Sequence, residues 1–156
     1  MWQRIQTIFL ALVVLCMVVS LFLPVWIYND PTTNVTHQLY PLHYSMIQNG
    51  ERTTHYIPYC VMAVLMVAAA TLAVMELRRY DNRILQIKIG TLNSLVLALA
   101  MVSIVILSNQ LASEFSSGWK YGFSLYLSFG GVLFNWLAIR FIRRDEKLVR
   151  DSDRLR

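Results

Sequence analysis

Apolar residues occur in four long blocks, and polar residues are largely confined to the segments between them. The blocks cover approximately residues 5–27, 57–77, 87–108 and 121–142. About 20 apolar residues in a helix cross the hydrocarbon core of a bilayer, so each block predicts one transmembrane helix. The blocks and their connections use nearly all of the 156 residues. The pattern therefore predicts a single integral membrane domain, residues 1–156, folded as an all-α four-transmembrane-helix bundle.

The longest polar segment, residues 28–56, lies between the first two blocks and predicts a small β-hairpin outside the cytoplasm. Leu42–Ile47 and Glu51–Ile57 contain Tyr, Thr and Ile, which favour strands. Between these runs lies Asn49-Gly50, a strong hairpin signal because Asn and Gly both accept positive φ. An irregular cap is the alternative interpretation.

Basic residues are distributed unequally between the two sides of the predicted spans. Of the 14 Lys and Arg residues, Arg52 and Lys120 fall on the hairpin side. The other twelve fall on the opposite side: Arg4, Arg78, Arg79, Arg83, Lys88, Arg140, Arg143, Arg144, Lys147, Arg150, Arg154 and Arg156. Because cytoplasmic loops carry the basic excess, both termini and the middle loop are predicted to be cytoplasmic. These basic residues flank the predicted spans, and this role accounts for the net charge of +5. Nucleic-acid binding is therefore not expected.

Glu76 is the acidic residue that falls within an apolar block, and buried ionisable groups are the usual functional signal in a membrane. It lies one turn from the predicted cytoplasmic end of its helix. This shallow position favours an interfacial ion pair with Arg78, Arg79 or Arg83 over a proton or ion relay.

Uncharged polar and small residues mark the predicted contacts between helices. Asn93 and Asn135 are expected to hydrogen-bond across the bundle, with a ligand site as the alternative. Gly90, Ser94 and Ala98 form a stripe of small residues at four-residue spacing, which is expected to face the bundle interior.

The sequence contains no recognised catalytic or metal-binding motif. GxxxxGK, GxSxG and HExxH are absent, and Cys16 and Cys60 do not form a CxxC pair. The histidines His37, His43 and His55 lie in the polar segment, where a hairpin brings the last two towards each other. No cysteine or acid stands at a metal-ligand spacing from them. We therefore expect a protein that is not an enzyme and has no cofactor or metal.

The C-terminal segment, residues 143–156, is charged and patterned like a helix. Leu148 and Val149 belong to an apolar series near heptad spacing, and Glu146 precedes Arg150 by four residues, the favourable order for an ion pair. One interpretation is a solvated continuation of the fourth helix. A helix on anionic lipid headgroups and a docking helix for a protein partner are the others.

Three segments together resemble one family of small bacterial membrane proteins, the domain of unknown function 4293 family of Bacteroidota. The segments are the start, Met1-Trp2-Gln3-Arg4-Ile5-Gln6-Thr7; the middle loop, Tyr80-Asp81-Asn82-Arg83-Ile84-Leu85-Gln86; and the end, from Ala138 to Arg156. The middle loop is similar to the Asn-Arg-x-x-Gln signature of the family. The resemblance covers essentially the whole chain. It implies a four-helix protein of the bacterial inner membrane and no assigned activity.

All of the matching motifs lie at the predicted cytoplasmic face, so we expect function there. The first hypothesis is an accessory or scaffold protein that docks a partner on this face. Its candidate interaction residues are Asn82, Arg83, Gln86, Arg143, Arg144, Asp145, Glu146, Lys147 and Arg150. The alternative is a lipid- or small-molecule-binding, transporter-like bundle that uses Asn93, Asn135 and the hairpin outside the cytoplasm. Membrane lipids are expected partners in both cases. The sequence is also compatible with a homo-oligomer.

Overall fold

The computed structural model describes residues 3–31, 33–48, 50–79, 82–115 and 118–154. In these residues, four helices are long and apolar enough to span a membrane, as the four blocks predict. They are α1 (Gln3–Phe22), α2 (Cys60–Arg78), α3 (Arg83–Glu114) and α4 (Phe123–Arg154). The strands are β1 (Trp26–Asn29), β2 (Thr36–Leu39), β3 (Tyr44–Gln48), β4 (Glu51–His55) and β5 (Lys120–Tyr121).

The helices pack in a closed ring around a common core. α1 contacts α2 and α4, and α3 contacts the same two helices. Large apolar side chains also cover the outside of the ring. Ile8, Val64, Leu95 and Tyr126, one from each helix, are all more than half exposed. Helices that are apolar on both their inner and outer faces are typical of a bundle surrounded by lipid.

The five strands form one antiparallel sheet, in the order β4-β3-β2-β1-β5. The sheet covers the end of the bundle where α1 and α3 end and α2 and α4 begin, which we call the sheet end. The β3–β4 hairpin is confirmed, with Gln48 opposite Glu51. Gly50 has a φ of 89°, as the predicted turn requires, and Asn49 lies outside the described residues.

The helix bounds differ from the predicted apolar blocks at two places. α1 ends at Phe22, and Trp26 and Ile27 at the end of the first apolar block belong to β1 instead. Pro24 explains the change, because proline lacks the N–H that a helix needs and disfavours helical geometry in the residue before it. α3 in turn continues to Glu114, so part of the predicted loop after residue 108 is helical.

Close contacts fasten the α3–α4 connection to the sheet. Phe115, directly after α3, packs with its ring centroid 4.8 Å from that of Tyr28 on β1. Gly122 donates its N–H to the carbonyl oxygen of Val25 over 2.8 Å. A Cβ at position 122 would overlap the Pro24 carbonyl, so only glycine allows the chains to approach this closely.

The charged C-terminal segment is a direct continuation of α4. The helix runs without a break to Arg154, while Leu155 and Arg156 lie outside the described residues. This extension and the α2–α3 connection lie at the end of the bundle opposite the sheet, which we call the tail end.

Candidate functional site

Glu76 is fully buried near the end of α2, at the tail end of the bundle. It shares the inward face of α2 with Ala69 and Ala73, because these residues recur at helical spacing. Neither of its carboxylate oxygens has a hydrogen-bond partner among the described residues. The predicted ion pair with Arg78, Arg79 or Arg83 is therefore wrong. Arg78 and Arg79 are exposed and follow the buried face rather than share it.

Gly90 on α3 makes room for this carboxyl group. A Cβ at position 90 would come within 2.6 Å of Glu76 Oε1 and 2.9 Å of Ile139 Cγ1 on α4. Three helices thus meet around the carboxyl group, and a side chain at position 90 would displace it. Sequence reasoning placed Gly90 in a packing stripe but did not connect it with Glu76.

Gln86 lies on the same buried face of α3, four residues before Gly90. Its Nε2 donates to the backbone carbonyl oxygen of Glu76 over 3.1 Å, while its Oε1 has no partner among the described residues. Asn82 begins α3 by accepting a hydrogen bond from the backbone N–H of Leu85 over 3.0 Å. The Asn82-Arg83-x-x-Gln86 motif therefore shapes the α2–α3 connection, and Gln86 is not available at the surface.

Asn93 and Asn135 hydrogen-bond to each other across the bundle, as predicted. Asn93 Nδ2 donates to Asn135 Oδ1 over 3.2 Å. Asn135 Nδ2 donates to the Gly90 carbonyl oxygen over 3.2 Å and to Ser94 Oγ over 2.9 Å. Ser94 in turn donates to the same carbonyl oxygen over 3.1 Å. Asn93 Oδ1 is left without a partner among the described residues.

We call Glu76, Gln86, Gly90, Asn93 and Asn135 the acceptor cluster. All of its unpartnered side-chain atoms are oxygens: Glu76 Oε1 and Oε2, Gln86 Oε1 and Asn93 Oδ1. A buried acceptor without a donor costs about 1–3 kcal/mol, and more when it is charged. The cluster is therefore suited to receive a group that supplies positive charge or hydrogen-bond donors.

Two grooves flank the acceptor cluster on the outside of the bundle. The larger has a volume of 690 Å³ and is lined by Met75, Arg78, Arg79, Leu85 and Ile89. The smaller has a volume of 270 Å³ and is lined by Thr91, Ser94, Trp136, Ile139, Arg140 and Arg143. Each groove combines an apolar surface with two arginines, which suits an amphipathic anion such as a lipid.

The predicted interaction residues of the tail lie on the extension of α4. Arg143, Arg144, Lys147 and Arg150 are exposed, Glu146 is half-buried and Asp145 is buried. Arg83, at the start of α3, is half-buried. The extension therefore presents basic residues to solvent, together with Leu148, which is 56% exposed.

The histidines of the sheet end are held by separate partners. His37 is buried, and its Nδ1 hydrogen-bonds to the Tyr44 hydroxyl over 2.6 Å. His43 Nε2 lies 2.9 Å from a guanidinium nitrogen of Arg52 and does not pair with His55. Among the described residues, no three His, Cys, Asp or Glu side chains are grouped to hold a metal.

Burial shifts the titration of these sheet residues. It lowers the pKa of His37, with Asp30 opposing the effect, and burial together with the Arg52 charge lowers the pKa of His43. Burial, followed by Tyr59 and Glu114, raises the pKa of Tyr44 to about 12. The His37–Tyr44 pair is therefore neutral at pH 7.

A family model described as Domain of unknown function (DUF4293) matches residues 2–155, essentially the whole chain. No curated protein matches the sequence.

Proposed function

We propose a function from the structure, since the chain belongs to the DUF4293 family and the description of that family assigns none. In this proposal the protein is a non-enzymatic accessory protein of the bacterial inner membrane that docks a protein partner on its cytoplasmic face. The observation that carries it is the exposed C-terminal part of α4, in which residues 147–151 are all exposed. From Lys147 to Arg154 the helix extends about 10 Å.

The orientation of the protein in the membrane is part of this proposal. Twelve of the 14 Lys and Arg residues belong to the tail end and its flanking termini, which supports a cytoplasmic location for that end. A reporter that is active only outside the cytoplasm is expected to be inactive when fused after Arg156 and active when inserted at Gly50. The reverse pattern would refute the orientation.

The chemistry of the extension supports a protein partner more than a lipid surface. Exposed Leu148 stands between basic Lys147 and Arg150, while Asp151 adds an exposed acid. Anionic headgroups attract the bases but repel the acid. A helix that carries an apolar stripe with charges of both signs complements all of these residues. We therefore assign the partner as a helical segment of a cytoplasmic protein.

Site-specific cross-linking tests this assignment. A photo-reactive residue at position 148 is expected to capture one partner in cells, and the same protein should co-purify with the chain in lipid nanodiscs. Deletion of residues 143–156 or Leu148→Asp should remove it. Ile84→Asp is the matched control, because Ile84 is another exposed apolar residue at the tail end. A partner that stays bound after the deletion would disprove docking through the extension.

The larger groove supports a second candidate function, the binding of an anionic lipid. Arg78 and Arg79 offer two cations above the apolar side chains of Met75, Leu85 and Ile89. Native mass spectrometry is expected to show retained anionic lipid, and Arg78→Gln with Arg79→Gln should release it. Arg52→Gln, at the sheet end, is the control. Equal lipid retention in all of these proteins would rule out the groove.

A further inference from the structure

The donors of the acceptor cluster bond to other oxygens rather than to the Glu76 carboxyl group. The Gln86, Asn93 and Asn135 amide nitrogens and the Ser94 hydroxyl all donate to other oxygens in or beside the cluster. No described residue donates a hydrogen bond to either Glu76 carboxyl oxygen. Buried polar groups in proteins are normally partnered, so this one-sided shortage calls for a missing component.

Among the described side chains around Glu76, none provides a compensating positive charge. Arg78 at the end of α2, Arg79 directly after it, Lys88 on α3 and Arg140 on α4 are all exposed, and none of them hydrogen-bonds to the carboxyl group. The end of α2 lies two residues beyond Glu76, and the partial negative charge of a helix C-terminus adds to that of the carboxylate. A buried carboxyl group here is neutralised by a proton, and an ionised carboxylate needs a cation from outside the described residues.

The residues that carry the unpartnered oxygens meet along one buried face of α3. Glu76 contacts this helix at Gly90, Gln86 precedes that point by four residues and Asn93 follows it by three. These spacings correspond to about 6 Å and about 4.5 Å of helical rise. Gln86 and Asn93 therefore lie on the same buried face of α3, one on each side of the point where the carboxyl group contacts it.

We propose that the acceptor cluster is a binding site for a small monovalent alkali cation of the sodium type, with Glu76 as its charged ligand and the Gln86 and Asn93 side-chain oxygens as neutral ligands.

The composition of the cluster selects this class of cation. Carboxylate and amide oxygens are hard ligands, and they suit alkali and alkaline-earth cations rather than soft transition metals. Membrane transporters likewise hold Na⁺ with backbone carbonyls and helix C-terminal ends. A single carboxylate neutralises one positive charge, so a divalent ion would leave an uncompensated charge in an apolar bundle. This inference goes beyond both functions proposed above and is independent of the tail.

Sodium itself is the probe for the test. The full chain in lipid nanodiscs is titrated with NaCl against choline chloride at fixed pH and ionic strength. Both ²²Na⁺ binding and the thermal unfolding temperature are measured. We expect saturable binding of one Na⁺ per chain and an unfolding temperature that rises with Na⁺ but not with choline. Direct binding to the unmodified protein keeps the test valid even if a variant fails to fold.

Variants then assign the site. Glu76→Gln is expected to abolish the sodium response, and Asn93→Ala to weaken Na⁺ binding about tenfold, the lower end of the losses seen for changes around bound metals. Glu51→Gln, an exposed carboxylate on β4, is the matched control and should bind as the unmodified protein does. The proposal is overturned if Na⁺ does not bind or if Glu76→Gln binds it equally well. It is also overturned if infrared spectra show that Glu76 stays a protonated acid at saturating Na⁺.

Discussion

The two ends of the bundle contain buried polar clusters that differ in how well their hydrogen bonds are satisfied. At the sheet end, Ser20, Ser124 and Ser128 join α1 to α4. The Ser20 hydroxyl lies 2.6 Å from that of Ser124 and 3.0 Å from that of Ser128. The Ser124 and Ser128 hydroxyls also donate to backbone carbonyl oxygens over 2.9 Å and 2.8 Å. At the tail end, the acceptor cluster leaves four oxygens without a partner among the described residues.

The chemistry of the side chains explains this difference. A hydroxyl group both donates and accepts, so three serines can satisfy one another. A carboxylate only accepts, and the amides of the acceptor cluster donate to other oxygens rather than to Glu76. The serine cluster is thus complete as a contact between helices, whereas the acceptor cluster is complete only with a ligand. Burial alone does not separate a structural polar contact from a binding site, whereas the presence of unpartnered acceptors does.

Among the substitutions that compare the two ends, Gly90→Ala is expected to cause the largest loss of unfolding free energy. Gly90→Ala should lower the free energy of unfolding by about 1–3 kcal/mol, because the new methyl group would meet Glu76 Oε1 and Ile139. Steric trapping in bicelles measures this free energy. Gly130→Ala on α4 is the control, since its nearest neighbours are 3.8 Å and 3.9 Å away. Equal losses in the two variants would show that Gly90 is not a close contact.

Loss of a satisfied hydrogen bond should come next in size. Ser20→Ala removes the hydroxyl that joins Ser124 and Ser128, and we expect a loss of about 0.6–1.7 kcal/mol. The same unfolding assay measures it. Ser103→Ala, a half-buried serine whose hydroxyl donates to the Leu99 carbonyl oxygen within α3, is the control. A Ser20→Ala variant as stable as the control would contradict the structural role of the serine cluster.

Asn93→Ala should lower the free energy of unfolding by less than Ser20→Ala does, by about 0.5 kcal/mol or below in sodium-free buffer. The variant loses the hydrogen bond to Asn135, but it also removes an unpartnered oxygen. Thr91→Ala, an exposed position two residues away, serves as the control for the assay. A loss larger than that of Ser20→Ala would mean that the acceptor cluster is a structural contact like the serine cluster.

The sheet histidines predict a smaller effect that depends on pH. Folding lowers the pKa of His37 below its ordinary value of 6.5, so the folded state prefers the neutral ring. The contribution of His37 to the free energy of unfolding is therefore fully present above pH 6.5. It is lost as the pH falls through the folded-state pKa of His37. Unfolding temperatures between pH 7.5 and pH 4.5 should show this loss, and His37→Gln should reduce it. His55→Gln, exposed on β4, should not, and an equal reduction would contradict the assignment.

The helices and the hairpin were predictable because their signals are local. Length and continuous apolarity identify a spanning helix, and Asn-Gly identifies a tight turn. β1 was missed because Trp26 and Ile27 continue the apolar block, and composition alone does not separate a short strand from the end of a helix. β5 contains only two residues and depends on pairing with β1, so it carries no pattern of its own.

The acceptor cluster was predictable only in part. Glu76, Asn93 and Asn135 stand out as polar residues in apolar blocks. The arginines near Glu76 in the sequence suggested an ion pair, but Glu76 lies on the inward face of α2 and its carboxyl group does not hydrogen-bond to them. Gln86 has the spacing that places it with Gly90 and Asn93 on one helical face.

Strict four-residue counting misled the prediction for Ala98, which is exposed. A helix has 3.6 residues per turn, so a four-residue stripe drifts around its surface. The buried face instead passes through Asn93 and Leu97.

The most direct test measures the dependence of the unfolding temperature on Na⁺ in the unmodified protein, Ser20→Ala and Glu76→Gln. We predict that Ser20→Ala starts at a lower temperature but shows the same rise with Na⁺ as the unmodified protein, whereas Glu76→Gln shows no rise. A sodium effect that survives Glu76→Gln, or that Ser20→Ala removes as well, would contradict the claim that the unsatisfied cluster is the binding site.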